Sequence, residues 1–159
     1  MPCSLDVALS VINEHSVVRT MPGISLPDDW PAKDLMGILP WYVNQLKSDP
    51  AQYGWGIWLM IDSSSKQVIG DIGFKGKPEN GAVEIGYSVI PDRRRRGYAF
   101  EAASAIVDWA LGHKEVSTVK GECEKNNIPS IRILEKLGMT RLEEDGDLIK
   151  WDIRKAIEK

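Results

Sequence analysis

Residues 90–100 of this 159-residue chain read Ile-Pro-Asp-Arg-Arg-Arg-Arg-Gly-Tyr-Ala-Phe, a turn with four consecutive arginines (Arg93 to Arg96) and one glycine. Ala82 to Val89, just before it, reads as a strand. A helix is expected from about Gly97 to Leu111, with Gly112 as its stop signal, and Val116 to Cys123 reads as another strand. Strand, helix and strand in that order form a βαβ unit. Its strands should be parallel and its crossover right-handed, which places a mixed sheet with helices on its faces at the centre of the fold. The turn itself lies at a helix N-terminus, where unsatisfied N–H groups and a partial positive charge favour an anion. Gly97 lets the backbone approach a phosphate closely, Ala99 is the next smallest choice, and arginine side chains can grip phosphate oxygens. A solvated turn without a ligand is the plain alternative; Pro91, the small residues and the strand-turn-helix placement favour phosphate. No Gly-Lys-Ser/Thr follows, so this is not a Walker loop, and a single glycine does not make a dinucleotide fingerprint.

The rest of the chain fits around this unit without repeats or linkers. Leu5, Ala8, Leu9 and Ile12 lie on one side of an opening helix that Ser4 can cap. A second helix is marked by Asp29 and by Pro31 in its first turn, and carries Leu35, Leu39, Val43 and Leu46. Pro40 should kink or split it. Trp55 to Ile61, Gln67 to Phe74 and Ala82 to Val89 should form an antiparallel meander, with Asn80-Gly81 as a strong turn signal. A short helix is expected over Asn127 to Leu137, then strands over Met139 to Leu142 and Leu148 to Ile153 around an acidic turn, Glu143 to Asp147.

Composition narrows the chemistry. Lys and Arg total 20 against 23 for Asp and Glu, a net charge of −3. That balance argues against nucleic acid or an anionic membrane as the main partner. Two cysteines (Cys3, Cys123) and two histidines (His15, His113) cannot supply a structural zinc site of the usual spacing, and no metal is expected. No nucleophile elbow accompanies either histidine. The longest apolar run, Trp55 to Ile61, is too short to cross a bilayer, and the N-terminus has no basic segment followed by an apolar stretch. A cytoplasmic location with reduced thiols is the expectation. Carboxylates, backbone amides and a borrowed co-substrate remain as the sources of chemistry.

Three motifs in order carry a resemblance. Arg94-Arg95-Arg96-Gly97-Tyr98-Ala99 resembles the Arg/Gln-x-x-Gly-x-Gly/Ala pyrophosphate loop of the GNAT acetyltransferases. Val83 to Pro91 resembles the preceding strand in the branch that acetylates N-terminal amines of ribosomal proteins. Asn127 to Met139 resembles that branch's Asn-x-x-Ser helix and its Lys-x-Gly-Phe ending, with Met139 in place of Phe. The similarity spans about residues 55–154. It implies an α/β GNAT fold: a mixed, mostly antiparallel sheet with a central, splayed parallel pair and flanking helices, in one domain. It also implies an N-acetyltransferase that passes the acetyl group of acetyl-CoA directly to a primary amine, on a protein N-terminus or a small molecule.

By the same resemblance, the main chain of Tyr87, Ser88 and Val89 would pair with the pantetheine arm. Amides from Arg95 to Ala99 (Arg95, Arg96, Gly97, Tyr98, Ala99) would hold the pyrophosphate, with Arg94 adding charge. Asn127 and Ser130 would face the thioester end; Asn127, just before a helix, also suits an N-cap. An attacking amine must lose its proton, so a base is needed. Glu84 and Glu122 lie on the strands expected to flank the cleft and are the candidates, each otherwise a carboxylate facing water. The tyrosine that many members use as general acid is replaced by Leu134, which leaves Ser130 as donor. Trp30, Trp41, Tyr53, Trp55 and Trp58, with Asp28 and Asp29, could wall a pocket for a cationic amine or simply cement helices to the sheet. The family's first strand would be very short or absent, leaving a sheet edge open to a homodimer partner. Two other readings compete: a non-catalytic acyl-CoA-binding regulatory module, motivated by the missing tyrosine, and weak nucleic-acid binding through Arg93 to Arg96.

Overall fold

The computed structural model describes residues 1–13 and 20–157; His15 falls outside them. One sheet carries the fold, built from β1 (Ile57–Ile61), β2 (Val68–Phe74), β3 (Ala82–Val89), β4 (Thr118–Glu124), β5 (Thr140–Asp145) and β6 (Leu148–Arg154). Its order is β1-β2-β3-β4-β6-β5. Every neighbouring pair is antiparallel except β3–β4, the parallel pair that the βαβ reading requires. The helices are α1 (Leu5–Ile12), α2 (Lys33–Ser48), α3 (Tyr98–Gly112) and α4 (Ile128–Lys136).

Alternation along β3 sorts its side chains onto two faces. Val83, Ile85 and Val89 join Val119 and Cys123 of β4 in a core closed by Ala103, Ile106, Val107 and Ala110 of α3 and by Leu134 of α4. Leu59 and Val68 face the other way, into a second core with Val7 and Val11 of α1 and Leu35, Leu39 and Val43 of α2. The sheet is therefore covered on both faces, which is the arrangement that buries an apolar sheet with helices. Trp55 and Trp58 pack on Trp109 at centroid distances of 4.7 and 5.4 Å, so both act as cement between β1 and α3.

The parallel pairing is short. Only Ala82↔Thr118, Val83↔Val119 and Glu84↔Lys120 face one another. Beyond them β3 stays with β2 through Val89, and β4 stays with β6 through Glu124. The two strands thus part at Glu84 and leave a fork, open from Ile85 and Gly121 onward.

Some expectations change. Pro40 neither splits nor ends α2, which runs unbroken from Lys33 to Ser48. A buried stripe of Leu35, Leu39, Tyr42, Val43 and Leu46 on both sides of the proline supplies the packing that offsets a loss of about 3 kcal/mol. The helix starts two residues later than the proline signal implied, with Ala32 as its N-cap. In α1 the Ser4 cap is present, but the buried side is Val7, Ala8, Ser10 and Val11; Leu5, Leu9 and Ile12 are half-buried. The acidic turn shrinks to Gly146-Asp147, because Glu143, Glu144 and Asp145 extend β5 and pair with Lys150, Lys125 and Arg141. Residues 1–3 lie along the free edge of β1, where the amide of Cys3 donates to Ile57 at 2.8 Å and that of Leu59 to Met1 at 2.7 Å. Among the described residues no helix is long and apolar enough to cross a membrane, and no three His, Cys, Asp or Glu side chains gather as a metal site would need.

Candidate functional site

The arginine turn divides its four cations between two tasks. Arg93 pairs with Asp62 at 3.7 Å and donates to Gln67 at 3.2 Å, and the Nε of Arg94 donates to the carbonyl of Val89 at 2.9 Å. These two fasten the loop to the β1–β2 turn and to the end of β3. Asp62 is the anchor: it accepts from the amides of Ser65 and Ser64 and from the Tyr98 hydroxyl, and these bonds hold its carboxyl well below the usual range. Arg95 and Arg96 are exposed and make no ion pair among the described residues. Arg95 (φ 60°) and Gly97 (φ 84°) both adopt the left-handed region. Successive amides in such a turn line a concave anion site. No side chain caps α3, so its first-turn N–H groups open on the same space. A phosphate group fits this arrangement in charge and in donors. A nucleic-acid patch is correspondingly reduced, since half of the arginine cluster is already held by the protein.

At the point where the strands part, the two candidate carboxylates converge. Glu84 of β3 and Glu122 of β4 each direct Oε1 to the ammonium of Lys75, which bonds Glu84 directly and lies 3.3 Å from Glu122. Burial disfavours the Lys75 ammonium, but both carboxylates outweigh it and raise the group above its ordinary value. Lys75 escaped the sequence reading because only the β2–β3 register places it there: its amide bonds the carbonyl of Glu84 at 3.0 Å. Across the fork stands the start of α4. Asn127 caps it, its Oδ1 accepting from the amide of Ser130 at 3.2 Å. The Ser130 hydroxyl lies against the phenol of Tyr87, whose pKa burial raises and that contact partly restores. Leu134, in the tyrosine's place, points into the core at 1% exposure, with Gly121 against it. Leu134→Ala should therefore cost about 2–5 kcal/mol of stability, read from the denaturant midpoint. Cys123 is a buried strand thiol whose pKa burial raises.

A groove of about 490 Å³ runs along the sheet on the Glu84 face, beneath α2. Its floor is the cross-strand pair Gly73–Gly86, its roof includes Ile38 and Trp41, and along the β2 side its lining runs from Asp71, in mid-strand, to Lys75, just past the strand's end. Of the aromatic set, Trp41 lines this groove and Trp30 lies beside it, while Trp55 and Trp58 are packed under α3. Asp28 and Asp29 do not line it; the acids that do are Asp34 and Asp71. A second cavity, of about 570 Å³, lies between β1 and α3, and no residue of β3 or β4 lines it.

The profile described as acetyltransferase (GNAT) domain matches residues 5–140. The chain belongs to the GNAT acetyltransferase family. It is 30% identical over 139 residues to the uncharacterized N-acetyltransferase YjdG of Bacillus subtilis (strain 168), which covers 87% of this chain and 82% of that protein. In fold it is similar to the ribosomal-protein-S5-alanine acetyltransferase of Vibrio fischeri (TM-score 0.66, 15% identity, 100% of this chain and 93% of that one). It is also similar to the N-acetyltransferase PseH of Campylobacter jejuni in complex with acetyl coenzyme A (TM-score 0.61, 18% identity, 80% and 85%). This GNAT chain is an acetyl-CoA-dependent N-acetyltransferase. The mixed sheet with one parallel pair is the fold that the arginine turn and its βαβ unit implied.

Proposed function

We propose that this acetyltransferase works at the fork between β3 and β4 and transfers the acetyl group directly to a primary amine. The observation that carries this reading is the parting of the strands just after Glu84↔Lys120, with two carboxylates at the apex and an uncapped helix N-terminus at the open end. Amides from Arg95 to Ala99, with Arg95 and Arg96 beside them, hold the pyrophosphate. The fork-side main chain of Tyr87 and the amide of Val89 take the pantetheine arm as an added strand would, while Ser88 between them turns its main chain to β2, opposite Asp71. Arg94 contributes charge while its Nε keeps the loop in place.

Transfer needs a neutral amine, because a protonated one has no lone pair. The Glu84–Glu122 pair receives that proton, directly or through a water, and Lys75 holds the two carboxylates together. The amine nitrogen bonds to the thioester carbonyl carbon, the carbon–sulfur bond breaks, and the sulfur leaves with the electron pair. Ser130, with the Tyr87 phenol beside it, supplies the proton that the thiolate takes up, and Asn127 fixes the helix that carries Ser130.

Thiol release from acetyl-CoA with a panel of amines and peptide N-termini tests this. Glu84→Gln combined with Glu122→Gln should lower kcat by about 10²-fold or more, the usual scale for a lost general base, with the acetyl-CoA Kd unchanged. Ser130→Ala should lower kcat by about 10-fold. Rates within twofold of wild type in both would remove these residues from the mechanism. Tight acetyl-CoA binding without turnover on any amine would instead favour the regulatory acyl-CoA-binding reading.

A further inference from the structure

The groove beneath α2 has an anionic end that the transfer step does not use. Asp71 sits on the groove face of β2, opposite Ser88 in register, and lines the cavity. Its Oδ2 accepts from the indole Nε1 of Trp30 at 2.9 Å; its Oδ1 has no protein donor among the described residues. Burial raises the Asp71 pKa and the indole bond partly counters it, so the carboxylate is short of water and of counter-charge. Among the described residues no cation pairs with it, and Lys75 is engaged by Glu84 and Glu122. Lys75 is four residues on from Asp71, about 13 Å along an extended chain.

Between those ends the floor is kept clear. A Cβ built on Gly86 would meet no protein atom within 4 Å, so packing does not demand glycine there. A glycine inside a strand with open space above it suits a ligand that lies close to the backbone. Ile38 and Trp41 are 47% and 53% exposed, although they line the groove, and offer an apolar roof. The groove thus has a reactive end at the fork, an apolar middle, and an unmatched carboxylate at the far end. Asp71 attracts a second cation at the far end.

We propose that Asp71 is the specificity-determining carboxylate of this enzyme, and that the acceptor is an amine carrying a second positive charge separated from the reacting nitrogen by an apolar spacer. The inference rests on transfer taking place at the fork, as argued above. Asp71 also tethers Trp30, and a tether alone would give it a structural role. Asp71→Asn separates the two: the amide oxygen can still accept the indole N–H, while the charge is gone.

The experiment compares α,ω-diaminoalkanes of three to eight carbons with n-alkylamines of equal length, on wild type and Asp71→Asn, with acetyl-CoA affinity and thermal stability measured alongside. Wild type should prefer at least one diamine over its matched monoamine by tenfold or more in kcat/KM. In Asp71→Asn that ratio should fall close to one through a rise in the diamine KM, with monoamine kinetics, acetyl-CoA Kd and melting temperature retained. A tether role predicts a loss of stability and equal losses for both amine series. The proposal is overturned if wild type uses both series alike, uses neither, or keeps its diamine preference in Asp71→Asn. Those outcomes leave transfer at the fork intact so long as acetyl-CoA binds and the Glu84 and Glu122 variants behave as expected.

Discussion

Replacing Gly97 by aspartate should weaken acetyl-CoA binding by at least about 100-fold and leave the protein folded. The backbone at Gly97 has φ 84°, and a Cβ there would meet no atom within 4 Å. The cost to folding is therefore only that of a non-glycine residue in the left-handed region, about 1–2 kcal/mol, and aspartate is among the residues that tolerate it best. Binding suffers for a different reason. The carboxylate would stand where the first-turn amides of α3 await an anion, placing a fixed negative charge beside the pyrophosphate. A 100-fold loss corresponds to about 2.7 kcal/mol, within reach of one misplaced charge at a site of this kind. Calorimetric titration with acetyl-CoA, set beside a thermal melt, reads both effects. Gly97→Ala carries the strain without the charge and should lose about tenfold or less. Wild-type affinity in Gly97→Asp would mean that the pyrophosphate does not sit on this loop.

The parts of the site that lie within one continuous stretch were legible from residue order. The strand, the arginine turn and α3 form a local unit, so the anion-binding helix end could be read directly, as could the Asn127 cap three residues before Ser130. What the order hid was set by distant partners. Four arginines in a row look equivalent, and only Asp62 and Gln67, from the β1–β2 turn, take Arg93 out of ligand binding. Glu84 and Glu122 could be named singly, but the lysine that joins them follows the end of β2, which neither residue reveals. The groove was hidden twice over. Its roof depends on α2 continuing through Pro40, against the local preference of proline, and its floor depends on the β2–β3 register that sets Gly73 opposite Gly86. Asp71 in isolation is an ordinary polar position on a strand. It becomes a charge in a groove only when α2 lies across it.

That floor supplies the other large effect, because its two glycines are there for opposite reasons. A Cβ on Gly73 would stand 2.0 Å from the carbonyl oxygen of Gly56, 2.9 Å from its carbon and 3.1 Å from the Cα of Ile57. All three are backbone atoms, so no rotamer change relieves the overlap; β1 must move away from β2. The Gly56 carbonyl also accepts the amide of Phe74 at 3.1 Å, and the shift would break that bond. Gly73→Ala should therefore destabilise the protein by more than about 4 kcal/mol, a large share of the stability of a domain this size, and leave much of it unfolded at 37 °C. Gly86→Ala, on the facing strand, should change the melting temperature little, or raise it slightly, since alanine costs less chain entropy than glycine. Parallel urea titrations of the two variants give the comparison. If Gly73→Ala unfolds at the wild-type midpoint, the close approach of β1 to β2 is wrong. If Gly86→Ala collapses as well, the space above it is not open, and a substrate cannot lie there.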